Sequence, residues 1–211
     1  MPYRAGIPET TIQRLPMYLR CLLDAQSQRL PLVNSAVLAE MCGTNAAQIR
    51  KDFSYLGELG TRGIGYDVDA LIVYISRVLG IDELRRVVLV GYGRFGSALL
   101  GYPGFTERGF EIVAVLDADP AKIGTLAGDV AISDVADLED VVVATGAEIA
   151  VLATPAPATQ ALADRLVRAG IRGVLNLAPV RLTVPDDVSV RHVCLSTELQ
   201  VLSFHLAQKA L

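Results

Sequence analysis

One stretch of the sequence reads Val87-Val88-Leu89-Val90-Gly91-Tyr92-Gly93-Arg94-Phe95-Gly96. Four consecutive apolar residues predict a buried strand, and the glycines that follow have the spacing of a turn that carries a dinucleotide pyrophosphate. The first glycine permits the tight turn, the second lets the backbone approach the phosphates, and the third lets a helix pack closely on the strand. We therefore predict a strand, a turn and a helix, with cofactor contacts from Gly91, Tyr92, Gly93, Arg94, Phe95 and Gly96.

An acidic residue follows where such a fold places the adenosine ribose. Asp117 ends the next predicted strand, residues 112–116, and lies about 20 residues beyond Gly96. A carboxylate there accepts a hydrogen bond from the ribose 2′-hydroxyl and repels a 2′-phosphate. The sequence therefore favours NAD(H) over NADP(H) as the cofactor. Asp119-Pro120, beside it, predicts a turn and the start of a helix.

Further apolar runs alternate with helical segments in this part of the chain. Residues 149–153 and 174–177 predict strands that are buried on both faces, and residues 158–169 predict a helix between them. This alternation predicts an α/β fold with a Rossmann-type, doubly wound parallel sheet. Ligands of such sheets bind beyond the carboxyl ends of the strands. We therefore predict further cofactor contacts from Thr154, Pro155, Asn176, Ala178 and Pro179.

The first third of the chain predicts a helix-turn-helix. Residues 34–42 form a short helix that Asn34 or Ser35 caps and Gly43 ends. The second helix begins with Asn45-Ala46-Ala47-Gln48, a variant of the capping box. Two short helices joined by a glycine-containing turn have the outline of a DNA-binding motif.

The second of these helices has two faces of different character. Ile49, Phe53 and Leu56 share one side and predict its buried stripe. Basic and hydroxyl groups on the other side are those that contact phosphates and base edges. The predicted DNA-facing residues of the helix are Ala47, Arg50, Lys51 and Ser54, with Tyr55 at the flank.

A glycine-rich hairpin follows over residues 57–68, with short strand-forming arms and the tip Thr61-Arg62-Gly63. An arginine on so narrow a tip can enter a DNA minor groove, whose negative potential attracts it. Thr61, Arg62 and Gly63 are therefore also predicted to face DNA. Helix and hairpin together predict a winged helix.

Charge supports this division of the chain. The 211 residues carry a net charge of −4, but residues 1–66 hold seven basic and five acidic side chains, so the remainder is the acidic part. The first third can therefore approach a polyanion that the rest would repel. We predict a winged-helix domain over residues 1–80, a Rossmann NAD(H)-binding domain over 85–195 and a C-terminal helix over 196–211.

Several kinds of site and location are disfavoured. No apolar run approaches the roughly 20 residues of a membrane helix, and the start lacks the apolar stretch of a signal peptide, so we expect a cytoplasmic protein. The three cysteines and two histidines do not have metal-ligand spacing, so no metal is expected, and the cysteines are interpreted as buried thiols.

A catalytic role is also disfavoured. A nicotinamide dehydrogenase usually needs a general acid or base near the reacting carbon. His192 falls in a predicted late strand and Tyr102 in a turn, and the chain after the glycine turn leaves no room for a substrate domain. We therefore predict binding without turnover and no catalytic residues.

The last segment predicts an apolar helix that needs a partner. It opens with Thr197-x-x-Gln200, a capping box, and continues through Leu199, Val201, Leu202, Phe204 and Leu206. This surface can pack on its own domain or be exchanged across a dimer. The sequence leaves both arrangements open.

Residues 48–57 and 60–68 closely resemble the DNA-binding domain of the Rex redox-sensing repressors. The similarity continues through residues 6–9, 14–16, the glycine turn, 176–179 and 196–210, and so spans nearly the whole chain. It implies a homodimer with exchanged C-terminal helices that binds palindromic operator DNA and is released by NADH. It also implies that Gly91, Gly93, Gly96 and Asp117 hold the adenosine diphosphate, with Thr154-Pro155 and Asn176 to Pro179 along the nicotinamide.

The resemblance further implies contacts that couple the two halves or join the dimer, at Arg14, Tyr102, position 194 and Phe204. The family usually has Val-Asp-Leu before the last helix, whereas this chain has Val193-Cys194-Leu195. The departure puts that coupling contact in question. Two alternatives stay open: a small NAD-dependent oxidoreductase with an accessory helical domain, and a nucleotide- or CoA-binding subunit.

Overall fold

The computed structural model describes residues 6–57, 59–61 and 64–209. The chain divides into two compact units, Met1–Glu83 and Leu84–Leu211. Arg62 and Gly63, which we predict to face DNA, lie outside the described residues.

The first unit is a small helical domain with a two-stranded sheet. Its elements are α1 (Glu9–Ser27), β1 (Leu32–Val33), α2 (Ser35–Cys42), α3 (Ala46–Leu56), β2 (Tyr66–Asp67) and α4 (Val68–Leu79). The predicted stripe of α3 is buried, because Ile49, Phe53 and Leu56 pack in one core with side chains of α1 and α4. The helix-turn-helix is therefore formed as the sequence predicts.

Caps set the ends of the two central helices. The side chain of Asn34 accepts hydrogen bonds from the backbone of Ala36 and Val37, so Asn34 and not Ser35 caps α2, and Gly43 ends the helix with a positive φ of 64°. Asn45 caps α3 by accepting from the Gln48 backbone at 2.8 Å. The predicted capping box is only half formed, because the Gln48 side chain donates to Asp52 instead.

The hairpin predicted over residues 57–68 differs from the structure. Within it, Thr61 and Gly65 form one isolated antiparallel bridge, whereas β2 pairs with β1, which precedes α2. Gly65 makes this pairing possible, because it has a φ of 112° and a Cβ there would lie 2.6 Å from the Val33 carbonyl oxygen. The wing therefore draws one of its strands from a distant segment.

The second unit is a seven-stranded sheet in the order β5-β6-β4-β3-β7-β8-β9. Its strands are β3 (Arg85–Val90), β4 (Phe110–Asp117), β5 (Leu126–Ala127), β6 (Val130–Asp134), β7 (Ile149–Leu152), β8 (Gly173–Asn176) and β9 (Ser189–His192). Its helices are α5 (Arg94–Leu100), α6 (Leu138–Thr145), α7 (Ala156–Arg168) and α8 (Leu195–Lys209). Among the described residues of this sheet the β5–β6 pair is antiparallel and the other pairs are parallel, so the predicted doubly wound parallel sheet is confirmed.

Two local predictions for this unit need correction, and two of its strands are not predicted from the sequence. Asp119-Pro120 starts a turn and not a helix, and the chain continues directly into β5 and β6, which the sequence did not predict. Helix α8 begins at Leu195, two residues before the predicted capping box.

None of the helices in the described part of the chain is both long and apolar enough to cross a membrane.

Candidate nucleotide-binding and DNA-binding sites

The glycine turn lies at the centre of the sheet, between β3 and α5. Gly91 has a φ of 98°, and a Cβ there would lie 2.5 Å from the carbonyl oxygen of Ala153 at the end of β7. A Cβ at Gly96 would overlap the carbonyl oxygen of Gly91. At Gly93 a Cβ would meet nothing within 4 Å. The first and third glycines are therefore needed for packing, and the second leaves space for a ligand.

Asp117 connects this turn to the end of β4. Its Oδ2 accepts from the Tyr92 backbone N–H at 2.6 Å and from Lys122 Nζ at 3.3 Å, and its Oδ1 accepts from the Asp119 backbone at 2.9 Å. Burial by itself would raise the pKa of Asp117, but these donors outweigh it and lower that pKa. The predicted ribose acceptor is thus ionised and also fixes the shape of the turn.

The loops after β7 and β8 meet the same edge of the sheet, because β3, β7 and β8 are adjacent and parallel. Thr154 lies beside Gly91 and shares a hydrogen bond with Thr159 at 3.1 Å. Asn176 is fully buried, and its side chain accepts from the Ala178 backbone at 3.0 Å and donates to the Val180 carbonyl at 2.6 Å. Asn176 therefore shapes its loop.

The remaining predicted cofactor residues differ in exposure. Arg94, Phe95 and Pro155 are exposed at this edge, whereas Tyr92 packs its ring against the sheet and Ala178 is buried. A backbone cradle with an open position at Gly93 and an ionised carboxylate beside it fits a dinucleotide with a free ribose 2′-hydroxyl.

Within the described residues, no group of three or more His, Cys, Asp or Glu side chains could hold a metal ion.

The outer face of α3 is accessible. Ala47, Arg50, Lys51 and Ser54 are exposed and Tyr55 is half-buried, while Thr61 is exposed in the following loop. Ser35, at the first position of α2, accepts a hydrogen bond from Arg50 Nη1 at 2.9 Å. The sequence predicts a capping role alone for Ser35, because no pattern in one sequence links positions 35 and 50.

Asp52 is a second feature that the sequence did not reveal. It lies on the inner side of α3, is completely buried, and accepts hydrogen bonds from Thr11, Arg14, Tyr18 and Gln48. Burial alone would raise the pKa of the Asp52 carboxyl, but the four donors outweigh it and lower that pKa to about 2. Asp52, one of the five acidic side chains of residues 1–66, is therefore a buried carboxylate paired with Arg14.

Comparison with known proteins agrees with this division of the chain. Residues 6–54 match the family model described as putative DNA-binding protein N-terminus, and residues 82–180 match the CoA binding domain model. The redox-sensing transcriptional repressor Rex of Streptomyces avermitilis is 50% identical over 205 residues, which are 97% of this chain and 81% of that protein. Rex of Chloroflexus aggregans is 45% identical over 202 residues, with 96% and 95% covered.

The chain belongs to the Rex family of redox-sensing transcriptional repressors. Solved structures of RSP, a Rex-family repressor, share its fold: the protein alone has a TM-score of 0.89 at 33% identity, covering 98% of this chain and 97% of RSP. RSP in complex with β-NAD⁺ and operator DNA has a TM-score of 0.92 at 34% identity, covering 98% and 95%. The resemblance deduced from the sequence, and the winged-helix and Rossmann fold class, are confirmed.

Arg14 and Tyr102, two of the residues that the Rex resemblance assigned to coupling, have partners within their own units. Arg14 pairs with Asp52, while the hydroxyl of Tyr102 accepts from Arg108 at 3.1 Å. Phe204 is exposed on α8.

Cys194 corrects the interpretation of the three cysteines as buried thiols. It is only partly buried, and hydrogen bonds from Ser196 and Thr197 lower its pKa to about 7. Cys21 is buried, as predicted, and Cys42 is partly buried, with a pKa that burial raises.

The glycine turn should not tolerate a methyl group at its third glycine. We expect Gly96→Ala to lower the free energy of unfolding by more than about 2 kcal/mol, because its Cβ overlaps backbone that cannot withdraw. Gly101→Ala is the matched control, since its Cβ meets only atoms at 3.8 Å and its φ is −77°. Denaturant unfolding measures both, and equal losses would contradict the close approach.

The buried carboxylate of Asp52 should make stability depend on pH. Since its pKa is about 2 in the folded chain and about 3.9 when unfolded, its contribution is complete above about pH 4 and is lost as the pH falls toward 2. We expect a loss of roughly 2 kcal/mol in that window that Asp52→Asn removes. Asp24→Asn, at an exposed position of α1, is the control and should leave the pH dependence unchanged.

Proposed function

We propose that this chain represses transcription by binding operator DNA through its first unit, and that NADH bound to its second unit releases the DNA. The proposal rests on two features that occur in one chain. Helix α3 has an accessible basic face, and the glycine turn lies beside the ionised carboxylate of Asp117, which can accept a hydrogen bond from a ribose. RSP, similar over nearly the whole chain, has been solved with β-NAD⁺ and operator DNA and with β-NADH. The site of action is the cytoplasm, where operator DNA lies.

The cofactor is NAD(H), held at the carboxyl edge of the sheet. Gly91, Gly93, Gly96 and Asp117 hold the adenosine diphosphate, and the loops at residues 154–155 and 176–179 border the nicotinamide. Asp117 Oδ2 already accepts two hydrogen bonds and Oδ1 one, so Oδ1 keeps a lone pair for one ribose hydroxyl. Tyr92, Arg94 and Phe95 contribute through the backbone of the turn.

A preference for the reduced cofactor follows from charge. The oxidised nicotinamide ring is a cation and the reduced ring is neutral. The loops after β7 and β8 present Ala, Pro and Leu side chains, and the side chain of Asn176 bonds to its own loop and to His192. Such surroundings penalise a cation. The nucleotide can shift the DNA equilibrium only by its different affinity for the two states of the repressor.

The DNA surface is the outer face of α3 with the following loop. Arg50 and Lys51 supply charge for phosphates, Arg50 and Ser54 can donate to base edges, and Ala47, Tyr55 and Thr61 complete the surface. Arg62 and Gly63 extend it as predicted from the sequence. Ser35 of α2 accepts a hydrogen bond from Arg50, which orders the arginine before DNA binds. The conformational entropy that Arg50 loses on binding is therefore smaller.

The repressor is a homodimer that exchanges α8. Leu195, Leu199, Leu202, Phe204 and Leu206 on this helix are each more than half exposed, which is more apolar surface than an isolated helix keeps in water. Strands β3, β4, β7 and β8 also line an apolar cavity of about 320 Å³. A second copy supplies a helix for each cavity, and two winged helices then bind a palindrome.

Operator release tests the function directly. We expect the chain to bind a palindromic duplex that it selects from a random pool, and NADH to release it at lower concentration than NAD⁺. Asp117→Ala should raise the NADH concentration needed roughly tenfold or more, because a charged hydrogen bond to the ribose is lost. Asp129→Ala, an exposed acid of the same unit, is the control. Equal release by NAD⁺ and NADH would disprove redox sensing.

The dimer can be tested on α8 alone. We expect Leu202→Glu to convert the dimer into a monomer in sedimentation and to weaken operator binding by at least about tenfold, because a buried carboxylate without a partner is strongly disfavoured. Glu198→Gln changes the charge of the same helix without adding a buried group and should leave the dimer intact. A Leu202→Glu chain that stays dimeric would rule out exchange of this helix.

A further inference from the structure

Helix α3 is held to α1 by an unusual concentration of polar bonds. Asp52 Oδ2 accepts from Arg14 Nε at 2.7 Å and from the Tyr18 hydroxyl at 2.6 Å. Asp52 Oδ1 accepts from Arg14 Nη2 at 2.6 Å, from Thr11 Oγ1 at 2.9 Å and from Gln48 Nε2 at 3.0 Å. Four of these five hydrogen bonds come from α1.

The three donors on α1 span two turns of one helix face, at positions 11, 14 and 18. Apolar contacts between helices lose little when one helix slides slightly, whereas these bonds are directional and end on a carboxylate that water does not reach. An axial shift of α3 along α1 would leave that charge unpaired, which is strongly destabilising. The bonds therefore set one position of α3 on α1.

Pro16 makes these side chains more important. It lies inside α1 and cannot donate the backbone hydrogen bond to Ile12 that a regular helix would have. Thr11 and Arg14 precede the proline, and Tyr18 follows it. Asp52 thus joins the two halves of α1 across the point where its backbone bonding is weakest.

We infer that Arg14 is a positioning residue of the DNA-reading helix, which acts through Asp52 to set the position at which α3 presents Arg50, Lys51 and Ser54. The inference rests on the proposed function. Arg14 is suited to this role because its planar guanidinium binds both carboxylate oxygens at once, which fixes direction as well as distance. Its side chain touches no base or phosphate in this role.

An apolar replacement of the whole cluster separates positioning from stability. The variant Thr11→Val, Arg14→Met, Tyr18→Phe, Asp52→Leu keeps the approximate volumes and removes one cation and one anion, so the net charge toward DNA is unchanged. Buried ion pairs replaced in this way often leave stability equal or higher. We expect a folded chain whose affinity for a scrambled duplex is unchanged and whose affinity for the selected palindrome falls about tenfold or more.

Two further variants complete the test. Arg20→Gln with Asp24→Asn also removes one cation and one anion from α1, at exposed positions, and should leave the ratio of palindrome to scrambled affinity unchanged. Arg14→Lys keeps the ion pair, and hence the fold, but not the two-bond geometry. We expect Arg14→Lys to lower the ratio of palindrome to scrambled affinity by roughly threefold or more. The positioning role can therefore be tested even if the apolar variant does not fold.

The measurement is the affinity of each chain for both duplexes, with circular dichroism and thermal unfolding as checks of folding. A folded apolar variant, or an Arg14→Lys chain, with the wild-type ratio would overturn the positioning role. A wild-type chain that prefers no palindrome over the scrambled duplex would instead overturn the proposed function, and this inference with it.

Discussion

A carboxylate withdrawn from water is stable only when its oxygens are hydrogen-bonded, and each unit of this chain is arranged around one such group. Asp52 ties α3 to α1, and Asp117 ties the glycine turn to the end of β4. Each acid lies next to a surface that we propose binds a ligand. The shape of both surfaces is therefore set largely by bonds beneath them, and the exposed groups need little adjustment on binding.

Internal hydrogen bonding also explains why the carboxyl edge of the sheet suits a protein that senses a nucleotide. Threonine and asparagine after β7 and β8 bond to their own loops, since Thr154 pairs with Thr159 and Asn176 with its neighbours. In the proposed complex these loops present mainly backbone and apolar side chains to the nicotinamide ring. Such surroundings favour a neutral ring over a charged one. His192, at the end of β9, lies 3.3 Å from the Asn176 amide nitrogen and is the titratable side chain next to these loops.

Local patterns predicted most of this structure, and pairings between distant segments account for what they missed. The glycine turn, the central strands and the two helices of the DNA-binding motif each depend on residues within a few positions of one another. The partner of β2, by contrast, is β1 on the far side of two helices. The pattern of α3 predicted its apolar stripe but gave no position for Asp52, and only the fold shows that α1 brings three donors to it.

The bonding of Asp52 also limits how this protein can diverge. Helix α3 cannot be transplanted alone into another winged helix, because Asp52 would arrive in a core that lacks Thr11, Arg14 and Tyr18. New operator preferences are therefore accessible through single changes at outward positions such as Ala47 or Ser54. Thr11, Arg14, Tyr18 and Asp52 are instead expected to change together, since loss of Asp52 removes the acceptor that the three side chains of α1 share.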